Sequence, residues 1–287
     1  MKPFSTRMLA LTGAFIAVSS VSQAALNYSD GDLLLAFRAT GGQGAATDYI
    51  VNLGSAATFV DAVSTIVLDT EIGNILADLN AEFTLGSVDW FERGDFLWSI
   101  SGVQKAAGNG FATNTIFATR TQTGTLTLGS QSSTAWTRFS LGASGAPSLK
   151  VQSMGTQFAL GDGDGTVTTG STESTNSAFA LIQPTSATNS YRSFMPGGSN
   201  TTGATAFGYF GGATGIEGSF ASGTSGVILD LYQVAPGSGA SAFEGTFSID
   251  NNAVVTFTPA IPEPSSVMAL GLGVAVLGAV RRRRIAH

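Results

Sequence analysis

The chain of 287 residues has no cysteine, one histidine and little charge. Without cysteine there is no disulfide, no thiolate metal site and no cysteine nucleophile. The one histidine, His287, is the last residue, just behind Arg281 to Arg284. A Ser-His-Asp triad needs an imidazole held between nucleophile and carboxylate, which such a residue does not supply. Histidine-based zinc or iron sites fail for the same reason. Charged residues make up only 11%, less than half the ~25% of ordinary soluble domains. Proline is scarce as well, with 8 residues, while aromatics reach 9%, so the composition is not that of a disordered chain. Glycine is what abounds. Its 37 positions compare with about 20 for a usual share of ~7%. Each glycine costs about 1 kcal/mol relative to alanine inside a helix. A turn-rich, mainly β protein is expected.

The N-terminal segment reads basic, then apolar, then small. Lys2 and Arg7 precede the apolar run Met8 to Val18, and Ser22-Gln23-Ala24 puts small residues where a signal peptidase reads. This reads as a signal helix over residues 1–24, with cleavage between Ala24 and Ala25, and it implies signal peptidase and the Sec machinery as partners. A first core helix of the domain is the plainer alternative, against which the short apolar run ending at a small-residue site speaks. Near the other end, Ile261-Pro262-Glu263-Pro264 is followed by an uncharged run from Ser265 to Val280 and then by Arg281, Arg282, Arg283 and Arg284. As a helix at 1.5 Å per residue the run would reach about 24 Å, short of a ~30 Å hydrocarbon core. Gly271, Gly273 and Gly278 suit close helix contact within a membrane partner. The arginines act as a membrane stop and stay cytoplasmic, which leaves the preceding domain outside. By periodicity alone an ordinary C-terminal anchor explains the run equally well.

Pro-Glu-Pro, a short apolar helix and an arginine cluster, in that order and spacing over Ile261 to Arg284, resemble the PEP-CTERM sorting signal of Gram-negative bacteria. Ile261 stands where valine is commoner, a conservative change. The resemblance implies a substrate of exosortase, a multi-spanning membrane enzyme that supplies the reactive groups itself. It also implies a transient inner-membrane stage followed by delivery to the cell surface or outside. The two prolines restrict the backbone around Glu263 to extended conformations, which suits presentation to such an enzyme.

Residues 25–259 read as one secreted β-rich domain between the signal segment and the sorting segment, residues 260–287. Lys2, Arg7 and Arg281 to Arg284 lie in the end segments. The part between them, Glu263 included, keeps 7 basic against 19 acidic residues, a net charge of −12. Such a surface repels nucleic acid and anionic lipid. No repeat of fixed period is visible. Strands are expected at Leu33–Arg38, Asp48–Leu53, Phe96–Val103, Thr113–Thr119, Val227–Val234 and Ala253–Thr258, several of them alternating apolar and polar residues. An antiparallel, sandwich-like arrangement follows from their number and spacing. One helix interrupts the pattern over Thr70–Phe83, where Ile72, Ile75, Leu76, Leu79 and Phe83 recur at helical spacing, with Thr70 as cap and Gly86 beyond its end. Between Ser140 and Gly226, rich in Gly, Ser and Thr, long loops or weak strands are expected around two ordered islands, Phe179–Pro184 and Tyr191–Phe194. The stretches Gly31–Gly42, Asp48–Phe59 and Gly245–Phe257 are similar to openings and closings of secreted PEP-CTERM proteins, which implies a shared β scaffold.

Three internal features could carry chemistry, and each has a plainer reading. Asp89, Trp90, Glu92, Asp95 and Trp98 combine carboxylates with tryptophan, as a sugar-contacting site needs. The plainer reading is two core tryptophans beside a polar turn. Asp162 and Asp164, two residues apart in a glycine-rich stretch, resemble part of a calcium loop. Thr166 and Val167 stand where that loop needs a third ligand and a glycine, and Glu173 arrives one residue late, so a simple turn serves as well and no metal is expected. The tripeptides at Asn27 and Asn200 match a glycosylation acceptor pattern, read as chance matches in the bacterial chain that the resemblance implies. No catalytic residues and no cofactor are expected. The leading functional expectation is a non-enzymatic surface or matrix protein associated with envelope or extracellular polysaccharide. The alternative is a carbohydrate-binding module or weak glycosidase.

Overall fold

The computed structural model describes residues 28–68, 75–123, 125–159, 180–184, 190–195, 215–220 and 228–261. Among the described residues ten strands form one antiparallel sheet. In chain order they are β1 (Asp32–Ala39), β2 (Thr47–Ser55), β3 (Ile66–Leu68), β4 (Phe96–Gln104), β5 (Thr115–Thr121), β6 (Ala180–Pro184), β7 (Gly218–Ser219), β8 (Ile228–Val234), β9 (Ala242–Ile249) and β10 (Val255–Pro259). Their order across the sheet is β3-β10-β9-β8-β5-β4-β1-β2-β6, with the two-residue β7 pairing with β4 through Leu97 and Trp98. Among the described residues four helices accompany the sheet: α1 (Ala56–Val60), α2 (Ile75–Phe83), α3 (Leu141–Ala159) and α4 (Tyr191–Phe194).

The fold is mainly β, as the composition requires, but it is one curled sheet and not a sandwich. The reason lies in β1. All eight of its residues are buried, so LLLAF is a strand covered on both faces, and such strands read as continuous apolar runs. Leu33, Leu35 and Phe37 enter one core, while Leu34 and Ala36 enter a second core on the opposite face. Helices and loops, not a second sheet, cover both. On the first face lie Phe59 of α1 and Ile75, Leu79 and Phe83 of α2. Phe59 follows β2 yet meets Phe247 of β9 at 5.3 Å and Phe257 of β10 at 5.4 Å. Four strands separate β2 from β9 in the sheet order, so the sheet curls around this face and makes it the concave one.

On the opposite face Val151, Met154 and Phe158 of α3 and Tyr191 and Phe194 of α4 complete the second core. The helix α3 replaces the loops or weak strands expected after Ser140. Three glycines and Pro147 inside it lower its intrinsic propensity, and packing of the Val151, Met154 and Phe158 stripe overrides that. Gly155 serves a close approach: a Cβ there would stand 2.1 Å from the Tyr28 ring. The six expected strands all occur, with ends moved by one or two residues, and both islands form elements, β6 and α4. The strands β3, β7 and β9 and the helix α1 add to what the sequence suggested. The α2 periodicity is realised from Ile75 onward, and its expected start and Thr70 cap lie outside the described residues.

Candidate functional site

The Asp89–Trp98 segment folds around two buried anchors. A short 3-10 turn, Trp90–Glu92, begins after Asp89, whose backbone oxygen accepts from the Glu92 amide at 2.9 Å. Trp90 points inward and meets Phe91, Phe96 and Phe220 edge to face at 5.3, 5.9 and 5.3 Å. Such ring pairs favour this geometry through their quadrupoles. Arg93 is the second anchor. It donates to the backbone oxygens of Phe83 at 2.6 Å, Gly41 at 2.7 Å and Gln43 at 2.8 Å, and forks onto Asp95 at 2.8 and 3.0 Å. The guanidinium hydrogen bonds hold the Asp95 carboxyl below its ordinary range, so Asp95 is engaged within the fold.

With Trp90 and Arg93 held, Asp89 and Glu92 are exposed and Phe91 is half-buried. They line a cleft of about 260 Å³, walled by Leu76 and Asn80 of α2 and by Asn251 of the turn between β9 and β10. Trp90 forms part of its lining. Two carboxylates and two carboxamides offer acceptors and donors, and Phe91 offers an apolar surface. The cleft thus gathers the exposed Asp89 and Glu92 of the five candidate sugar contacts, while Trp90, although it borders the cleft, is buried like Trp98. Asp95 is ion-paired to Arg93, and Trp98 lies on β4, fully buried between Phe37 and Phe220 with ring centroids at 6.5 and 6.2 Å. A buried indole presents no face to a ligand. Asn80 and Asn251 carry no local signal that would have singled them out, because only the fold brings α2 and the β9–β10 turn together.

Polar clusters also occupy the opposite face, where their members engage one another. Arg38 holds Glu217 bidentately at 2.6 and 2.6 Å, and the Tyr191 hydroxyl donates to Glu217 at 2.9 Å and meets Ser99 at 2.7 Å. Asp48 is fully buried, accepts from the Arg192 amide at 2.8 Å and lies 3.5 Å from Nε of that side chain. Burial pushes the Asp48 carboxyl up to about 6, against the opposing pull of Arg192 and Arg38. Asp230 accepts from Gln122, from the Ser132 and Ser133 amides and from the Ser133 hydroxyl, all within 3.0 Å. These bonds tie distant parts of the chain together and hold the fold.

Among the described residues no cluster of three or more His, Cys, Asp or Glu could hold a metal ion, and no helix is long and apolar enough to cross a membrane. Asp162, Asp164, Asn27, Asn200, Ala24 and Ala25 lie outside the described residues, as do Pro262, Glu263, Pro264 and Arg281 to Arg284. The last described residues show where that segment leaves the domain. The Ala260 amide donates to Glu244 at 3.0 Å and the Ile261 amide to Gly129 at 2.8 Å.

The family model of the PEP-CTERM protein-sorting motif matches residues 260–284. The chain carries a PEP-CTERM sorting motif. That motif implies an exported protein, processed by exosortase in a transient membrane stage on the way to the cell surface. No curated protein and no solved structure gives a significant match. The PEP-CTERM motif therefore speaks for the route of the protein, and the domain in front of it must be read from its own chemistry.

Proposed function

We propose that the domain of residues 25–259 is a non-enzymatic cell-surface or extracellular-matrix protein that associates with envelope or extracellular polysaccharide. A signal peptide cut between Ala24 and Ala25 brings it through the Sec machinery, and exosortase acts at Pro262-Glu263-Pro264. The observation that carries this reading is the PEP-CTERM match at residues 260–284. The net charge of −12 over residues 25–263, in a chain with a single histidine and no cysteine, supports a surface component over a nucleic-acid binder or a common hydrolase. Deleting Pro262 to Pro264 tests the route. Full-length protein is expected to stay in the inner membrane, and unchanged processing and localisation would reject the reading. Mass spectrometry of the native surface fraction adds to this, since abundant peptides from Val267 to Val280 there would also overturn it.

A second reading, a carbohydrate-binding module or weak glycosidase, is favoured by the cleft that brings Asp89 and Glu92 to Asn80 and Asn251. Carboxylates and carboxamides beside an aromatic ring suit the hydroxyls and apolar face of a sugar. A glycan array with wild type, Glu92→Gln and Asn251→Ala decides it. Binding lost in both variants supports the cleft, and absence of any glycan signal in the wild type removes this reading. A hydrolysis screen on any bound glycan separates binding from cleavage.

A further inference from the structure

We propose that the corner of the domain from which the sorting segment leaves, formed by Leu126, Leu128 and Ile261, rests on the outer leaflet of the inner membrane while the tail is inserted. The inference rests on the membrane stage of sorting and not on the polysaccharide reading.

The argument begins with how little chain separates the fold from the membrane segment. Ile261 is still tied to the domain through Gly129, and only Pro262, Glu263 and Pro264 lie between it and the uncharged run that starts at Ser265. Four residue steps span at most about 14 Å when fully extended. The headgroup layer on one side of a bilayer is itself about 5 to 7 Å deep. The run is also about 6 Å shorter than the ~30 Å hydrocarbon core at 1.5 Å per residue. A short span draws its flanks toward the bilayer, so whatever surrounds Ile261 is brought to the lipid surface.

Exposed leucines stand beside it. Glu244, whose backbone oxygen accepts from the Ala260 amide, is an acidic residue near this end of β10, and burial, with Asp61 nearby, raises its carboxyl above the ordinary range. Ile261 is 59% exposed, Leu126 43% and Leu128 42%, although the sequence around them offers many polar residues for an outward position. No charged residue occurs from 121 to 137 or from 251 to 262. The gap keeps these two stretches themselves free of charge in a domain, residues 25–259, of net charge −11, which an anionic leaflet repels. The loop is also rigidly placed. The Gln122 side chain accepts from the Thr127 amide at 2.8 Å and donates to the Thr127 and Ser130 oxygens at 2.9 and 3.0 Å. The Gly129 amide donates to the Thr246 hydroxyl at 2.8 Å. Gly129 has φ +69°, and a Cβ there would stand 2.9 Å from the Ile261 side chain and 2.9 Å from the Pro259 oxygen. Gln122 thus holds the Thr127 backbone, and the leucines on either side of it are exposed.

The absence of native cysteine makes the test direct. The full chain is placed in nanodiscs of phosphatidylethanolamine and phosphatidylglycerol with one environment-sensitive fluorophore on Leu126→Cys, Leu128→Cys or Leu149→Cys. Leu149 is an equally exposed leucine on α3 and serves as comparator. Quenching by headgroup-attached quencher is expected to be at least about three-fold stronger at 126 and 128 than at 149. Equal quenching at the three positions, or none, overturns the proposal. Protection that appears only when exosortase is added assigns the corner to the enzyme and overturns it. Protection that appears only when two chains share a nanodisc assigns the corner to a second copy and overturns it as well. In the unsubstituted chain, methyl signals of Leu126 and Leu128 are expected to broaden with paramagnetic lipid while that of Leu149 stays sharp. The opposite pattern overturns the proposal independently of any label.

Discussion

On the concave face Phe37, Phe83, Trp90, Phe96 and Phe220 meet ring to ring around a core with few buried polar groups, the Tyr49–Asp78 pair at 2.5 Å among them. The opposite face sets Arg38, Glu217, Asp48, Arg192 and Asp230 among its apolar side chains. The first face gains its stability from apolar burial, which is non-directional and roughly proportional to area. The second depends on geometry, because a buried charge is tolerable only while its partner is in place. Truncation on the first face should therefore cost in proportion to volume removed. Loss of one partner on the second should cost more than loss of both.

The largest expected effect tests the aromatic face. Phe96 is fully buried and stacks on Phe37 at 5.7 Å, on Phe220 at 5.5 Å and against Phe83 at 4.6 Å. Phe96→Ala is expected to lower unfolding stability by about 3–5 kcal/mol through the cavity it leaves. Urea denaturation measures it, and a loss below about 1 kcal/mol would mean that the face collapses freely.

Next comes the ion pair of the opposite face. Arg38→Met leaves Glu217 buried without its guanidinium and is expected to cost about 3 kcal/mol, while the double variant Arg38→Met, Glu217→Leu should recover most of it. If the two single losses simply add in the double variant, the contrast between the faces breaks.

A pH titration sharpens the same contrast. The Asp48 carboxyl is raised by burial from the ordinary 3.8 to about 6 in the fold. Between these values the folded chain holds a proton that the unfolded chain has released, so stability rises as pH falls through that window. The Asp48 contribution is fully present below pH 3.8 and is lost as pH rises past about 6. Two pKa units correspond to roughly 2–3 kcal/mol. Comparing wild type with Asp48→Asn from about pH 7 to about pH 4 is expected to show a relative gain of that order for the wild type. A constant difference would assign no titration to Asp48.

The smallest effect concerns the helix that covers the second face. Ser140 stands before α3, its hydroxyl accepts from the Ala143 amide at 3.3 Å, and its backbone oxygen accepts from Ser144 at 2.9 Å. Ser140→Ala is expected to cost about 1 kcal/mol. A thermal shift indistinguishable from wild type would show that the Val151, Met154 and Phe158 packing alone holds α3.

Legibility in the sequence follows the same division. The concave cover was visible, since Ile75, Leu79 and Phe83 repeat at helical spacing and the helix they imply is α2. In α3 the corresponding stripe, Val151, Met154 and Phe158, is diluted by Gly142, Gly145, Gly155 and Pro147, and those residues speak for loops when read locally. Of the candidate sugar contacts, Asp89 and Glu92 came together at one cleft, but Asn80 and Asn251 joined them only through tertiary packing. Both tryptophans turned into the core, Trp98 because the even-numbered residues at its end of β4 face inward beside Phe96.

The sequence by itself determined the class of fold and the route of the protein. Glycine content, alternation and the sorting motif are properties of neighbouring residues, and each acts through a few consecutive peptide units or a short segment. Tertiary structure decided what no window contains: that LLLAF is covered on both faces by helices and loops, and that Arg38 finds Glu217 179 residues away. It also decided that Ile261 is tied to Gly129 immediately before the sorting motif. Those outcomes depend on which surfaces meet when the chain closes on itself, and local spacing carries no record of that meeting.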